Sequence, residues 1–170
     1  MTSRMPQRAG AAVIEGLLLT PVLVLLFVGG MELGKITLTY YTLHKALRGA
    51  ARMASTLRAA DFCNAQDPQL AAIRNFVVFG PEGDAATPIV RDLTADQIVI
   101  TPERAEPENG SVADCECAGP GGCLASDGGR APDFLVVSLA DGYAFQPRIP
   151  FRTLDAILLR PRVRVPFGGL

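Results

Sequence analysis

Residues 10–31 read Gly-Ala-Ala-Val-Ile-Glu-Gly-Leu-Leu-Leu-Thr-Pro-Val-Leu-Val-Leu-Leu-Phe-Val-Gly-Gly-Met, an apolar run with a single charged residue. No residue from Gly16 to Met31 is charged. With Ala11 to Ile14 in front, the apolar segment is about long enough, at roughly 1.5 Å per helical residue, to cross the hydrocarbon layer of a membrane. We therefore predict a transmembrane helix over residues 11–35.

The carboxylate of Glu15 limits how this segment is interpreted. A charge inside a span costs a few kcal/mol, so it is usually paired, near an interface or functional. A cleaved secretory signal would have a shorter apolar core, and a plain membrane anchor leaves Glu15 unexplained. Cleavage between Gly10 and Ala11, on the cytoplasmic side of the span, would place Glu15 one helical turn from a new α-amino group. That amine and the positive end of the helix dipole would offset the cost of the carboxylate.

These residues resemble the TadE-like pseudopilins of tight-adherence, or Flp-type, pilus systems. Gly10 followed by Glu15 is similar to the prepilin peptidase site of type IV pilins, and Pro21 matches a proline that the family places after the glutamate. Three further motifs occur in the family's order, with gaps between them. They are Gly29-x-x-Glu32-x-Gly34, Ala50-Ala51-Arg52 and Tyr143-x-Phe145-x-Pro147-x-x-Pro150.

The resemblance implies a minor-pilin-like subunit in the assembly or initiation of a tight-adherence type IV pilus. It implies as partners a prepilin peptidase, other pilins and pseudopilins of the system, and an inner-membrane pilus assembly platform. The expected location is the bacterial inner membrane, with a single span, a cytoplasmic N-terminus and a periplasmic head that stays anchored or enters the extracellular pilus. The alternative is a protein of another class, a single-pass membrane-anchored periplasmic ligand-binding or sensor domain.

The charge distribution divides the chain into a basic N-terminal part and an acidic remainder. Residues 1–60 hold seven Lys or Arg against two Glu, a balance of +5, and residues 61–170 hold nine Arg against 15 Asp or Glu, a balance of −6. A nucleic-acid-binding protein concentrates positive charge on its folded domain, so we expect no nucleic-acid partner. Arg4 and Arg8 fall in a cationic leader, residues 1–10, that we expect to be unstructured and cytoplasmic.

Beyond the membrane the helix is predicted to continue as an amphipathic stem over residues 36–60. Apolar residues recur there at spacings of three and four, and basic residues occupy other positions. The apolar stripe, expected to seat the head, comprises Leu43, Leu47, Ala50, Ala54 and Leu57. Small residues would also permit close packing between helices, although for the glycine pair a coincidental spacing stays open. The candidates are Gly30 and Gly34, which form a Gly-x-x-x-Gly, and Ala46, Gly49 and Ala50.

Residues 61–170 are predicted to form a small α+β head. Asp67 is a candidate N-cap and Pro68 a first helical residue, so a second, short helix is expected from there to about Phe79. Apolar residues then alternate at residues 98–100, 135–139 and 160–167, which indicates strands. Because turn-rich segments separate these runs, we expect an antiparallel β-sheet packed on the stem and the second helix.

The head contains all four cysteines, Cys63, Cys115, Cys117 and Cys123. An even number in an oxidising compartment predicts two disulfides, with three possible connectivities. Because Cys115 and Cys117 are too close to pair comfortably, we expect Cys63 to pair with one of them and Cys123 with the other. Four thiolates could instead hold zinc, but Cys-x-Cys-x5-Cys with a distant fourth cysteine is a poor match to the usual knuckles.

Residues with catalytic chemistry are few. The single histidine, His44, falls on the stem and is interpreted as an exposed helix residue. The sequence contains neither a phosphate-binding loop nor a Gly-x-Ser-x-Gly motif. We therefore expect no catalytic residue, no cofactor, no metal and no small-molecule substrate, and a structural role for the protein.

Overall fold

A computed structural model describes residues 8–57, 60–81, 87–106, 110–117, 122–124, 128–149 and 152–168. Of the predicted leader, residues 1–7 with Arg4 lie outside the described residues, and so does Pro150 of the C-terminal motif. The fold within the described residues is α+β, with two helices, an antiparallel sheet and two disulfides, as predicted.

Helix α1 runs from Arg8–Ser55, 48 residues without a break, which corresponds to a length of about 72 Å. It begins at Arg8, so residues 8–10 are helical and that part of the leader prediction is wrong. It ends at Ser55, before the predicted end at residue 60. The Ser55 hydroxyl donates to the Arg52 carbonyl at 2.8 Å, and the Thr56 amide donates to the Met53 carbonyl at 3.2 Å. Such bonds over three residues tighten and end a final turn.

Helix α2, Pro68–Phe79, has the predicted bounds. The Asp67 carboxylate caps it by accepting from the amides of Gln69 and Leu70 at 2.8 and 3.3 Å. At the other end Gly80 adopts a φ of 80°, a left-handed value that costs a glycine little, and its amide donates to the Phe76 carbonyl. Single residues therefore fix both ends of α2.

The main sheet has four antiparallel strands in the order β2-β1-β3-β8. The strands are β1 (Ile98–Ala105), β2 (Val112–Asp114), β3 (Phe134–Leu139) and β8 (Arg162–Pro166). Val137 lies opposite Ile100 on one side and Val163 on the other. The three predicted alternating runs thus become β1, β3 and β8, with β3 at the centre.

Two antiparallel ribbons lie between β3 and β8 in the chain, and neither was predicted as such. The first pairs β4 (Tyr143–Phe145) with β7 (Ile157–Leu159). The second, nested inside it, is a hairpin of β5 (Arg148–Ile149) and β6 (Arg152–Thr153). Strands of two or three residues are too short to show a period of two.

The core lies between the sheet and the two helices. Helix α2 runs back along α1, so that Phe76 lies at Gly49 and Gly80 lines the same groove as Thr42. Period-two alternation puts one face of β1, β3 and β8 toward the helices. The buried cluster includes Leu43, Leu47, Ala50, Ala54, Leu70, Ile73, Val77, Ile98, Ile100, Leu135, Val137 and Val163. Only the C-terminal half of α1 takes part in this core.

Candidate functional site

The N-terminal half of α1 has no cover within the described chain. Its large apolar side chains from Val13 to Phe27 are between 52% and 70% exposed. Among the described residues, α1 is the one helix long and apolar enough to cross a membrane. The most apolar part of this helix is not buried by the rest of the described chain. By length and composition this half is compatible with a single membrane span.

The predicted processing residues lie at the start of this uncovered half. Gly10 and Ala11 are helical, and Gly10 is exposed. The Glu15 side chain is exposed as well, and no described residue forms an ion pair with it. Cleavage after Gly10 stays a prediction, as does the pairing of Glu15 with an amine.

The candidate helix-packing residues divide into two groups. A Cβ added at Gly30 or Gly34 would meet nothing within 4 Å, so this side of α1 is open. Ala50 is fully buried in the core, Ala46 packs on the edge of the core, and a Cβ at Gly49 would lie 2.9 Å from Cε1 of Phe76. The second group therefore packs against the chain's own head, and contact between subunits stays a prediction for Gly30 and Gly34.

Glu32 forms a contact that the sequence did not predict. It is only 6% exposed, although it follows the uncovered apolar segment. One carboxylate oxygen lies 2.6 Å from Nζ of Lys35, and the other accepts from the backbone amide of Arg148 at 3.2 Å. The hairpin β5–β6 is thereby held on α1. Two motifs of the sequence resemblance meet here, because Glu32 belongs to one and Arg148 lies within the other.

A basic groove follows the exposed side of the stem. Lys45, Arg48 and Arg52 are exposed on α1, and Arg162 and Arg164 of β8 lie beside Arg48 and Arg52. A neighbouring cavity of about 410 Å³ between α1 and α2 shares Lys45, Arg48 and Arg52 and has an apolar floor. The floor includes Ala46, Gly49, Phe76 and Ile89. His44 lines the basic groove and not this cavity; it was predicted as exposed but is half-buried, and it stacks on Tyr40 with ring centroids 6.0 Å apart.

Glu103 is the second buried carboxylate, and sequence reasoning missed it too. It is 2% exposed, and alternation along β1 places it on the sheet face opposite the core residues Ile98 and Ile100. Nε of Arg164 lies 2.6 Å from one of its oxygens, and Nη2 of Arg162 contacts the other. The alternation of Arg162 and Arg164 along β8 was visible in the sequence, but the strand that would supply their counter-charge was not.

The disulfides join Cys63 to Cys117 and Cys115 to Cys123, which is one of the two pairings expected. Cys63 lies in the connection just beyond α1. The first bridge therefore joins the segment that follows β2, which contains Cys117, to the end of the stem. In the chain-entropy model, sequence separations of 54 and 8 residues correspond to about 4 and about 2.5 kcal/mol of stabilisation. Because all four thiols are paired, none is left as a zinc ligand.

Two ionisable groups outside the predicted span have shifted pKa values. In both cases the shift comes from contacts that hold the head together. The hydrogen bond from the Asp61 amide, followed by those from Gln69 and Leu70, lowers the pKa of Asp67 despite the opposing effect of burial. Burial, aided by the Asp92 carboxylate, raises the pKa of Tyr143, whose hydroxyl donates to the Arg91 carbonyl at 3.0 Å. Within the described residues no group of three or more His, Cys, Asp or Glu could hold a metal ion.

A long helix with an uncovered apolar half and a small disulfide-bonded head defines the general class, a stalked protein compatible with single-pass anchoring. Residues 10–52 match the family model described as TadE-like protein, about a quarter of the 170-residue chain. The resemblance inferred from the motifs is confirmed over this stretch. No curated protein and no solved structure matches the chain.

Proposed function

We propose that this protein is a pseudopilin-like subunit that takes part in assembling or initiating a tight-adherence pilus. The precursor is cleaved after Gly10 by a prepilin peptidase, the span over residues 11–35 holds it in the inner membrane, and the periplasmic head is presented to other pilins and the assembly platform. The observation that carries the proposal is the TadE-like match over residues 10–52.

The uncovered half of α1 supports this role. Apolar side chains that no described residue covers need either lipid or neighbouring helices around them. Both environments are available to a subunit that begins in a membrane and ends in a filament. Glu15 is the one charge in this stretch, and a freed α-amino group on the same or a neighbouring chain would offset it.

The disulfides support a periplasmic head. Such bridges form and persist in oxidising compartments, which include the bacterial periplasm, and are rare in the cytosol. With the head outside, the basic leader with Arg4 and Arg8 lies in the cytoplasm, in agreement with the tendency of positive flanks to stay there.

The N-terminus of the protein purified from membranes tests the proposal. We expect intact-mass analysis to give a chain that begins at Ala11. Gly10→Val should trap the longer form, because the peptidase needs a small residue before the cut. The matched control is Gly16→Val, since Gly16 lies on the same helix with nothing within 4 Å of an added Cβ, and it should still be cleaved. An uncut wild-type chain in a strain with an active peptidase would contradict the pilin assignment.

The cavity between α1 and α2 favours a second candidate function. Its apolar floor and the three cations at its edge would suit an amphipathic anion, as in an anchored periplasmic receptor. Such a receptor needs no cleavage after Gly10, because the span over residues 11–35 anchors it with or without the leader, so the same N-terminal measurement separates the two functions.

A further inference from the structure

The segment between β3 and β8 extends from the sheet along α1 toward the uncovered half. Residues Arg162 to Val165 of β8 share a groove with His44 and Arg52, and the Gly168 amide donates to the Ser55 carbonyl at 3.0 Å. Strand β8 therefore runs parallel to α1 and in the same direction, and Arg162 lies at the end of the strand nearer His44. Residues 140–161 leave and rejoin the sheet at that end; we call their described part, residues 140–149 and 152–161, the extension.

The hydrogen bond between Arg148 and Glu32 fixes how far the extension reaches. Glu32 lies about 18 Å further toward the N-terminus of α1 than His44, at 1.5 Å per residue. The Arg148 amide lies 3.2 Å from its carboxylate. The hairpin β5–β6 thus reaches the end of the uncovered half of α1.

The position of Glu32 can be compared with the edge of a bilayer. From Val13 to Met31 the helix rises about 28 Å, against a hydrocarbon thickness of about 30 Å. Glu32 and Lys35 then lie where the lipid headgroups begin. Tyr40 and Tyr41, 40% and 68% exposed, follow about 12 Å further along the same helix, beyond the headgroup layer.

The charge and polarity of the extension suit a lipid surface. Residues 61–139 hold four Arg against 13 Asp or Glu, a balance of −9, whereas residues 140–161 hold three Arg against two Asp, a balance of +1. Arg148 is exposed, although its backbone amide is held by Glu32. After the hairpin come three exposed apolar side chains, Leu154, Ile157 and Leu158, which are 37%, 42% and 52% exposed.

We propose that the extension is a lipid-binding element, in which the hairpin β5–β6 lies in the outer headgroup layer and the Arg148 guanidinium binds the phosphates of anionic lipids. The inference rests on the membrane span of the proposed function. It commits to lipid as the occupant because the hydrogen bond to Glu32 places the hairpin at the end of that span. An exposed cation near an anionic surface gains about 1 kcal/mol, which corresponds to about fivefold enrichment of anionic lipid around it.

The chain contains no tryptophan, so single Trp substitutions report depth in the full-length protein reconstituted in vesicles of phosphatidylcholine and phosphatidylglycerol. Phe145→Trp places the probe three residues before Arg148. Phe167→Trp is the matched control, because Phe167 is likewise half-buried but packs on Phe62 near the far end of the stem. Leu23→Trp tests the span itself.

We expect nitroxides on lipid headgroups to quench most of the emission of Phe145→Trp and little of that of Phe167→Trp. Acyl-chain nitroxides should quench Leu23→Trp if the span is in the membrane. If they do, but Phe145→Trp is quenched no more than Phe167→Trp, the extension does not touch the membrane. In that case the lipid-binding proposal is wrong and the proposed function is unaffected. If Leu23→Trp is not quenched either, the span and the proposed function fail with it.

The role of Arg148 is tested in the Phe145→Trp background. Nitroxide-labelled phosphatidylglycerol should quench more strongly than labelled phosphatidylcholine, and Arg148→Gln should abolish this preference. The substitution keeps the backbone amide that Glu32 holds. The control is Arg130→Gln, which removes an exposed cation beside Asp133, at the end of the sheet away from the extension, and should leave the preference unchanged. Equal quenching by both lipids in the parent would overturn the phosphate contact.

Discussion

The two halves of helix α1 differ in what surrounds them. From Val13 to Phe27 every large apolar side chain is at least 52% exposed, whereas Leu43, Leu47, Ala50 and Ala54 are fully buried. The helix is continuous across both halves, and the TadE-like match covers most of both. One helix therefore contributes to the core of the head and also presents an apolar half that no described residue covers.

The sequence shows the physical reason for this difference. The first half is apolar on all sides, which suits a helix surrounded by lipid or by other helices. The second half is apolar along one stripe and carries cations elsewhere, which suits a helix that a domain covers on one side. Equivalent substitutions in the two halves should therefore change the stability of the head by different amounts.

The largest expected difference is between Leu47→Ala and Leu23→Ala. Leu47 is 0% exposed and Leu23 is 63% exposed. Truncating a buried leucine leaves a cavity, so Leu47→Ala should lower the free energy of unfolding of the head by about 3 kcal/mol, and Leu23→Ala should not lower it. Amide hydrogen exchange of β3 in the detergent-solubilised full chain measures this quantity. Equal losses would show that the head is coupled to the whole helix and that the two halves are not independent.

A smaller difference is expected between Gly49→Leu and Gly30→Leu. The side chain at Gly49 would displace Phe76, whose ring is 2.9 Å from the added Cβ, whereas Gly30 has nothing within 4 Å. Overpacking at Gly49 should cost about 2 kcal/mol in the same exchange measurement. Gly30→Leu should leave the head unchanged and reduce crosslinking between subunits in membranes. A destabilised head in Gly30→Leu would contradict the open surface at that position.

The sequence predicted those elements whose signals are local. The start of α2 followed from Asp67 and Pro68, each of which acts within one turn. Three strands followed from runs of alternating residues. The two disulfides followed from the number and spacing of the cysteines, although which partner Cys63 takes is decided by the folded loop.

The sequence could not predict contacts between distant, individually ordinary residues. The carboxylate of Glu32 and the amide of Arg148 are 116 positions apart, and a backbone amide has no signature in a sequence. Glu103 is buried because β1 and β8 lie on either side of β3, a strand order that alternation alone does not give. The early end of α1 at Ser55 depends on hydroxyl groups that bond back to carbonyls, and such residues also occur within helices.

The smallest effect is expected from Asp67, the N-cap of α2 in the head. Its pKa is lowered in the folded state by the amide of Asp61 first and by those of Gln69 and Leu70 after it. Because the folded pKa lies below the unfolded one, the stabilisation is complete above an ordinary carboxyl pKa of about 4 and is lost as the pH falls through the folded value. Asp67→Ala should cost about 1 kcal/mol at neutral pH.

Asp67→Asn separates the cap from the charge, because asparagine is also a good N-cap but does not titrate. In this variant the head should keep α2 and lose the part of its acid sensitivity that begins below about pH 4. Exchange of the amides near Leu70, followed from pH 6 to pH 3 with correction for the intrinsic rates, measures this. The retention of the protein in vesicles should not change over the same range, since Asp67 lies in the head. If Asp67→Asn is as acid-sensitive as the parent, another carboxylate controls the acid response. If acid also releases the chain from vesicles, the uncovered half of α1 and the head do not respond independently, and the division of α1 into two halves is wrong.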